Sequence, residues 1–252
     1  MALEFDLIFG LHSIASALKN SHREYFKLHA TDEGLMELQR KYQINARSQK
    51  IPLEMHSSHQ LQEVAKKMCA HKDVEFTRVP SGIFLETSPL RTYELKEFFH
   101  LESLKLIALD QITDVHNGAA ITRTASFYGV TGILIPSEKS FGLTPSFYRI
   151  ASGAVESVPL IRVSSMSRAA TQLIEKGVLA VGLSEHSSDS LNSQELKDLK
   201  KICLFLGAEE VGLSNAVSRL MQKNLSLTSQ GHIKSLNVSS AAAIAMEKCF
   251  GI

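Results

Sequence analysis

Arg123 lies in the segment of this chain with the clearest chemical potential, because its neighbours in the predicted helix are mostly Ala, Ile and Thr. Asn117 stands six residues earlier, near the start of the same helix. A guanidinium held there can bind a phosphate or stabilise negative charge on a reacting group. The alternative interpretation is an exposed arginine that pairs with Asp110 or Asp114.

A second segment, residues 207–214, places Glu209 and Glu210 between two glycines. Glycine at the end of a strand lets the backbone approach a ligand closely. The segment lacks the Gly-Lys-Ser/Thr ending of a Walker loop and the G-x-G-x-x-G pattern of nicotinamide-binding folds. Its alternative interpretation is a helix N-terminus capped by acidic residues.

A third segment, residues 235–239, joins the glycine-marked loop 230–234 to a helix that starts with small residues. Backbone amides and short polar side chains at a helix start can bind a small polar ligand closely. For Ser235 and Asn237 the alternative interpretation is helix capping, which is the commonest role of these residue types.

All three segments belong to a region in which predicted strands and helices alternate. Strands are predicted at 106–109, 132–135, 160–163, 178–181, 203–206 and 224–227, and helices at 119–128, from 144 onward and at 167–176, before a polar segment near 186–200. This alternation predicts an α/β fold with a mostly parallel sheet covered by helices on both faces. Ligands of such sheets bind beyond the carboxyl ends of strands, so the loops after Leu109, Leu206 and Leu227 are expected to form the site.

The chain before this region predicts a smaller α/β domain over residues 1–88, with strands near 25–30, 52–55 and 82–85. A linker, partly helical, is expected at 89–103, and the larger domain at 104–252. The best candidate for an RNA-binding surface in the first domain is a basic patch of four residues: Arg40, Lys41, Arg47 and Lys50. A solvated surface is the alternative for this patch. Tyr42 and Phe26 are candidates for stacking on bases, although Phe26 fits a core position better.

Composition limits the possible classes of protein. The 27 Lys and Arg nearly balance the 26 Asp and Glu, so any nucleic-acid surface must be a local patch. Cys69, Cys203 and Cys249 lack metal-like spacing, which predicts buried reduced thiols, no metal site and a cytoplasmic location. Neither a signal peptide nor an apolar run of about 18 residues is evident, so no membrane partner is expected.

Taken together, the three segments resemble the three motifs of the SpoU/TrmH family of RNA ribose 2′-O-methyltransferases, in the SPOUT class, over about residues 104–252. The first motif corresponds to 114–117 with Arg123, the second to 207–209 with 212–214, and the third to Leu227 with 235–239. Residues 153–160 also resemble the family. Residues 8–14 and 80–85 resemble the small substrate-recognition domain of bacterial 23S rRNA guanosine 2′-O-methyltransferases of the RlmB kind.

The resemblance implies S-adenosylmethionine as the cofactor and a C-terminal domain with a deep trefoil knot. It implies that Gly207, Leu227 and Leu236 contact the cofactor, largely through backbone. The catalytic residues that it implies are Arg123, Asn117, Glu209, Ser235 and Asn237. Because the pKa of arginine exceeds about 12, we expect Arg123 to activate the ribose 2′-hydroxyl electrostatically rather than as a base. Asn117 and Ser235 are expected to orient Arg123 or an RNA phosphate, Glu209 to hold Arg123 or loop amides, and Asn237 to fix the third loop.

Two residues depart from the family pattern: Glu210 replaces a glycine of the second motif, and Thr228 replaces a proline of the third. Both changes are expected to shift the cofactor loop and to weaken affinity for the methyl donor. The predicted function is methylation of a ribose 2′-hydroxyl, that of a guanosine, in large-subunit rRNA by a homodimer. The alternatives are the same reaction on tRNA and a non-catalytic RNA-binding assembly factor. A nucleotide-cofactor dehydrogenase lacks its glycine fingerprint.

Overall fold

A computed structural model describes residues 4–48, 50–184, 194–227, 229–233 and 235–251, without the side chains of 194 and 195. The chain forms two compact units. The first comprises Met1–Arg91 with Leu143–Glu156, and the second comprises Thr92–Gly142 with Ser157–Ile252. The segment Leu143–Glu156, which the predicted boundaries place in the larger domain, therefore packs with the N-terminal residues.

The first unit is built on a four-stranded sheet of order β1-β4-β2-β3. Strand β4 is antiparallel to β1 and β2, whereas β2 and β3 are parallel. With elements numbered in chain order, the strands are β1 Asp6–Phe9, β2 Tyr25–Ala30, β3 Leu53–Met55 and β4 Ile83–Thr87, and the helices are α1 Leu11–Ala17, α2 Asp32–Tyr42, α3 Ser58–His71 and α5 Pro145–Ala151. Strand β1 was not predicted.

Arg23 holds the segment Leu143–Glu156 within this unit. Its guanidinium lies 2.8 Å from Asp6 Oδ2 and 2.8 Å from Glu156 Oε1, and its side chain is 1% exposed. Tyr148 Oη donates to the same Asp6 oxygen at 2.5 Å. Burial opposes the charge of Arg23, but the hydrogen bond to Glu156 and the negative charge of that carboxylate raise the pKa of Arg23 overall. The guanidinium therefore remains charged and compensates two carboxylates.

The second unit is built on a seven-stranded sheet of order β11-β9-β10-β6-β7-β8-β5, in which every pairing is parallel. The strands are β5 Thr92–Tyr93, β6 Leu104–Asp110, β7 Gly132–Pro136, β8 Leu160–Val163, β9 Leu179–Leu183, β10 Lys201–Gly207 and β11 Lys223–Leu225, and the helices are α4 Val115–Phe127, α6 Met166–Glu175, α7 Gln194–Lys197, α8 Asn215–Ser218 and α9 Val238–Phe250. The predicted α/β class with a parallel sheet is confirmed. The trefoil knot stays a prediction.

Two elements of the second unit differ from their predictions. Helix α4 begins at Val115 rather than Ala119, because Asp114 caps it by accepting from the Asn117 amide at 2.7 Å. Strand β5 lies where a connector was predicted, and it pairs with β8 at one edge of the sheet. The predicted polar segment near 186–200 falls partly on residues 185–193, which lie outside the described part of the chain.

All three cysteines are free and buried, as predicted. Burial raises the pKa of each thiol, that of Cys249 to about 11, so the thiols remain protonated and unreactive. Among the described residues, no helix combines the length and apolar character that a membrane span requires.

Candidate functional site

The central strands β6 and β10 bring the first and second motifs to one edge of the sheet. They pair in register up to Asp110 and Gly207, their last residues. The buried carboxylate of Asp110 then accepts from the amide of Ser214 at 2.8 Å. Asp110 thus fixes the far end of the loop that begins at Gly207. Sequence reasoning considered Asp110 only as a partner for Arg123 and missed this role.

Gly207 occupies a position that no larger residue can take without moving the backbone. A Cβ added there would lie 2.1 Å from the carbonyl carbon of Gly212 and 2.3 Å from the amide nitrogen of Leu213. The Gly212 amide donates to the carbonyl of Ala208 at 2.8 Å, and Gly212 has a φ of +66°. The loop therefore folds back on itself and presents backbone at the strand end.

A cavity of ≈ 340 Å³ lies beside this loop, within the usual size range of small-molecule sites. Its lining combines apolar side chains with a few polar groups: Leu183, Ser184, Leu206, Gly207, Ala208, Glu209, Glu210, Val211, Gly212, Leu227, Ser229, Ile233, Ser235, Leu236, Val238 and Ala241. All three residues predicted to contact the cofactor, Gly207, Leu227 and Leu236, are among them. Such a lining suits a ligand that has both an apolar ring and polar groups.

The rim of this cavity exposes three large apolar side chains, those of Val211, Ile233 and Leu236. They are 74%, 78% and 52% exposed, respectively. Exposed apolar groups around one cavity are typical of a surface that a ligand or partner covers. Sequence reasoning singled out Leu236 but missed Val211, Ile233 and the loop after β9. The sequence did contain a signal for the loop after β9, because the apolar run of β9 ends in the polar Ser184, as expected where a buried strand reaches the edge of the sheet.

Glu209, Asn117 and Asn237 form one hydrogen-bonded cluster that joins all three motifs. Glu209 Oε1 accepts from Asn117 Nδ2 at 2.9 Å and from Asn237 Nδ2 at 2.5 Å. Asn237 Nδ2 also lies 3.0 Å from Asn117 Oδ1, and the Val238 amide donates to Glu209 Oε1 at 3.4 Å. Glu209 also lines the cavity, so the cluster borders it.

The side chain of Asn237 both caps a helix and supports the site. Its Oδ1 accepts from the Ser239 amide at 2.9 Å at the start of α9, while its Nδ2 faces Glu209 and Asn117. Capping and a role in the site are therefore compatible. The alternative interpretation of residues 207–214 was a helix N-terminus capped by acidic residues. Glu209 does accept a hydrogen bond at a helix N-terminus, but that helix is α9, which follows the third motif.

Arg123 and Ser235 stand apart from this cluster. Arg123 is exposed, and in the described part of the chain it makes no hydrogen bond or ion pair. Arg123 therefore pairs with neither Asp110 nor Asp114 in this structure. Of the two partners expected for Glu209, the amides of the third motif are observed rather than Arg123. That Asn117 and Ser235 orient an RNA phosphate stays a prediction. Six residues separate Asn117 from Arg123, so the two side chains leave α4 in different directions. Ser235 is exposed and lines the cavity.

The two departures from the family pattern have different outcomes. Glu210 is exposed and lines the cavity, so its side chain is accommodated without burial. Thr228 lies outside the described residues.

In the first unit, the predicted basic patch of Arg40, Lys41, Arg47 and Lys50 is exposed at the end of α2 and in the loop that follows. Tyr42 donates to or accepts from His12 Nδ1 at 3.0 Å, and Phe26 is half-buried.

Comparison with known proteins agrees with this geometry. The model of the SpoU rRNA methylase family matches residues 105–247. The 23S rRNA (guanosine-2′-O-)-methyltransferase RlmB of Shewanella oneidensis is 32% identical over 251 residues, which cover 96% of this chain and 95% of the relative. RlmB of Escherichia coli K12 is 31% identical over 172 residues, 67% of this chain and 70% of the relative.

A solved structure shows the same fold. The SpoU methyltransferase AviRb from Streptomyces viridochromogenes, in complex with AdoMet, superposes with a TM-score of 0.76 at 19% identity. The match covers 98% of this chain and 89% of AviRb. The family match spans all three motifs, and the full-length relative extends the similarity to the N-terminal unit. This chain therefore belongs to the SpoU rRNA methylase family, and it is a methyltransferase.

Proposed function

We propose that this protein methylates the 2′-hydroxyl of a guanosine ribose in 23S rRNA. The observation that carries the proposal is the cluster of Glu209, Asn117 and Asn237 beside a cavity with an exposed backbone loop. The name of the S. oneidensis relative, which is similar along nearly the whole of both chains, supports the choice of guanosine and of 23S rRNA. That similarity includes the N-terminal unit, which favours rRNA over tRNA.

The residues present fit the cofactor. The tight approach at Gly207 offers backbone groups, while Leu206, Leu227 and Leu236 supply an apolar surface for an adenine ring. When bound, S-adenosylmethionine supplies an electrophilic methyl group on a sulfonium. Glu209 and Asn237 hold the second and third loops in the arrangement that binds it. The proposed role of Ser235, which lines the cavity, is to orient the RNA.

Arg123 is the proposed catalytic residue for activation of the ribose hydroxyl. A 2′-hydroxyl is a poor nucleophile at neutral pH, so catalysis must stabilise the negative charge that develops on its oxygen. A permanently charged guanidinium provides this stabilisation without removing the proton itself. The exposed Arg123, which has no partner among the described residues, is available to an incoming RNA. Asn117 fixes the first turn of the helix that carries it.

The test is methyl transfer from labelled S-adenosylmethionine to 23S rRNA prepared from cells that lack this gene. The wild-type protein is expected to label one guanosine ribose, located by its resistance to alkaline cleavage. Arg123→Ala is expected to lower turnover by about 10²–10³ or more, as the loss of a charge-stabilising group does, while the Kd for the cofactor stays nearly unchanged. Arg168→Ala, which removes an exposed arginine on α6, is the matched control.

Three outcomes would contradict parts of the proposal. Full turnover by Arg123→Ala would remove the assignment of this residue. Labelling of tRNA instead of 23S rRNA would change the substrate but not the chemistry. Tight cofactor binding without transfer to either RNA would favour a non-catalytic assembly factor.

The proposal includes a homodimer, a trefoil knot and a cytoplasmic location. Exposed apolar side chains on α4 and α9, those of Phe127 and Ile244, support a subunit interface on this face. Three buried, protonated thiols support a reducing compartment. Sedimentation equilibrium of the wild type and of Phe127→Ser tests the dimer, and an unchanged mass for the variant would exclude this face.

A further inference from the structure

Two histidines and a glutamate meet on the four-stranded sheet of the first unit, outside the methyltransferase site. One potential metal-binding atom from each of His29, Glu54 and His56 lies within 4.8 Å of the others. His29 on β2 is the register partner of Glu54 on the parallel strand β3. The His56 amide continues this pairing by donating to the carbonyl of Ala30 at 2.9 Å. Backbone pairing therefore fixes the three side chains relative to one another.

The distances between the side-chain atoms suit a shared ion. His29 Nδ1 lies 2.9 Å from His56 Nε2, and His56 Nε2 lies 3.6 Å from Glu54 Oε1. Zinc bonds of about 2.0–2.2 Å to nitrogen and oxygen place neighbouring ligand atoms about 3–4 Å apart. A single ion can therefore contact all three atoms after small side-chain movements.

Glu86 orients His29 for this role. Its Oε1 lies 2.5 Å from His29 Nε2, so the carboxylate accepts the ring proton at that nitrogen and leaves the Nδ1 lone pair directed toward His56. A carboxylate behind a histidine is the usual support of a metal-binding imidazole. The His29 ring is 3% exposed and stacks on Phe84 with ring centroids 4.3 Å apart, which holds its plane.

The remaining neighbours leave the other two groups able to bind a cation. The His56 side chain is only 6% exposed, and its Nε2 faces both His29 and Glu54. Lys27 Nζ lies 2.7 Å from Glu54 Oε2 and so occupies the carboxylate oxygen other than the one near His56. Lys27 leaves Glu54 Oε1 available, but its positive charge opposes a bound cation.

We propose that His29, His56 and Glu54 bind one divalent transition-metal ion, with Zn²⁺ as the best match to two imidazoles and one carboxylate. The site would join β2 to the short strand β3, with solvent in the fourth position. This inference is independent of methyl transfer and goes beyond the sequence, which predicted no metal. His29 lies on β2, whereas Glu54 and His56 lie on and just after β3. His29 is therefore far in the sequence from the other two residues, and no metal-binding motif indicated the site.

The experiment uses the full-length protein after treatment with a chelator and titration with Co²⁺ or Zn²⁺ alone. Co²⁺ is expected to give visible absorption bands that saturate at one ion per chain. Zn²⁺ is expected to displace it and to raise the Tm. Glu86→Gln is expected to weaken Zn²⁺ binding by about 10–100-fold. His56→Gln and Glu54→Gln are expected to weaken it at least as much.

Two variants separate this site from chance binding to surface histidines. His71→Gln removes an exposed histidine of α3 and is expected to leave the affinity unchanged. Lys27→Met removes the opposing charge and is expected to tighten binding. Equal Zn²⁺ affinity of the wild type and His56→Gln, or no saturable Co²⁺ spectrum, would overturn the proposal and leave a hydrogen-bonded histidine pair. Circular dichroism checks that each variant is folded.

Discussion

The side-chain amide of Asn237 donates to Glu209 Oε1 at 2.5 Å, and this bond joins the start of α9 to the loop that follows β10. The two residues are 28 positions apart in the chain. Because Asn117 donates to the same oxygen, a single carboxylate atom fixes both helices that border the loop. The charge of Glu209 is thus satisfied by amide donors rather than by Arg123.

Asn237→Ala is expected to lower the free energy of unfolding by about 1–2 kcal/mol, since it removes a helix cap and a hydrogen bond to a carboxylate. Turnover is expected to fall further than cofactor affinity, because the relative positions of the first and third motifs change. Urea unfolding and methyl-transfer kinetics measure the two effects.

A double-mutant cycle that combines Asn237→Ala with Glu209→Ala tests whether the bond between the two side chains causes these losses. The two changes are expected to be non-additive by about 0.5 kcal/mol or more, as for residues in one hydrogen-bonded cluster. Asn215→Ala, an exposed asparagine at the start of α8, is the control. Additive effects, or an equal loss in the control, would show that the bond does not couple the loops.

Gly207→Ala is expected to abolish cofactor binding while the protein remains folded. The new methyl group would lie 2.1 Å from the carbonyl carbon of Gly212, so the loop must move away from the strand end. Isothermal titration with S-adenosylmethionine measures the loss. Gly231→Ala is the matched control, because a Cβ there meets open space. Normal affinity of Gly207→Ala would mean that the close approach is not needed for binding.

The alternation of apolar strands with helices in the sequence correctly predicted the parallel sheet of the second unit. Strands such as β6 and β10 are buried on both faces, so they appear in the sequence as continuous apolar runs. Strand β5 could not be found in this way, because two residues at a sheet edge carry no periodic signal. The early start of α4 depends on the cap at Asp114, which lies in a polar stretch that resembles a loop.

Residues that line the cavity were predictable from the sequence, but the hydrogen bonds at its border were not. The order of the motifs identified Gly207, Leu227 and Leu236, and all three line the cavity. Their contact with a cofactor stays a prediction. The sequence left open whether Glu209 contacts Arg123 or loop amides, and the amides are observed, because the donors to Glu209 include residues 92 and 28 positions away. Sequence spacing within one segment contains no information on such distant partners.

The exposed basic patch of the first unit gives a prediction for RNA binding. The double variant Lys41→Glu/Arg47→Glu is expected to weaken binding of 23S rRNA fragments about tenfold or more at low salt, because it reverses two charges of the patch predicted to bind RNA phosphates. The slope of log affinity against log salt is also expected to become shallower. Filter binding at several salt concentrations measures both effects, while cofactor affinity stays unchanged.

Lys66→Glu/Lys67→Glu makes the same change of charge on the exposed face of α3 and serves as the control. If both double variants lose the same affinity, the effect comes from net charge. If neither does, the patch is only a solvated surface.

Arg23 provides a prediction about the stability of the first unit. Arg23→Met leaves Asp6 and Glu156 buried without their counter-charge, and breaking a buried ion pair in this way costs about 3–5 kcal/mol. Urea unfolding is expected to show this loss, and limited proteolysis is expected to cut within Leu143–Glu156. Lys41→Met removes an exposed pair with Glu37 and is expected to cost about 0.5 kcal/mol or less. Arg23 links Asp6, near the start of the unit, to Glu156, at its end. Unchanged protease resistance in Arg23→Met would mean that these ion pairs do not hold the segment in place. Apolar packing of the buried Phe147 and Ala151 would then hold it.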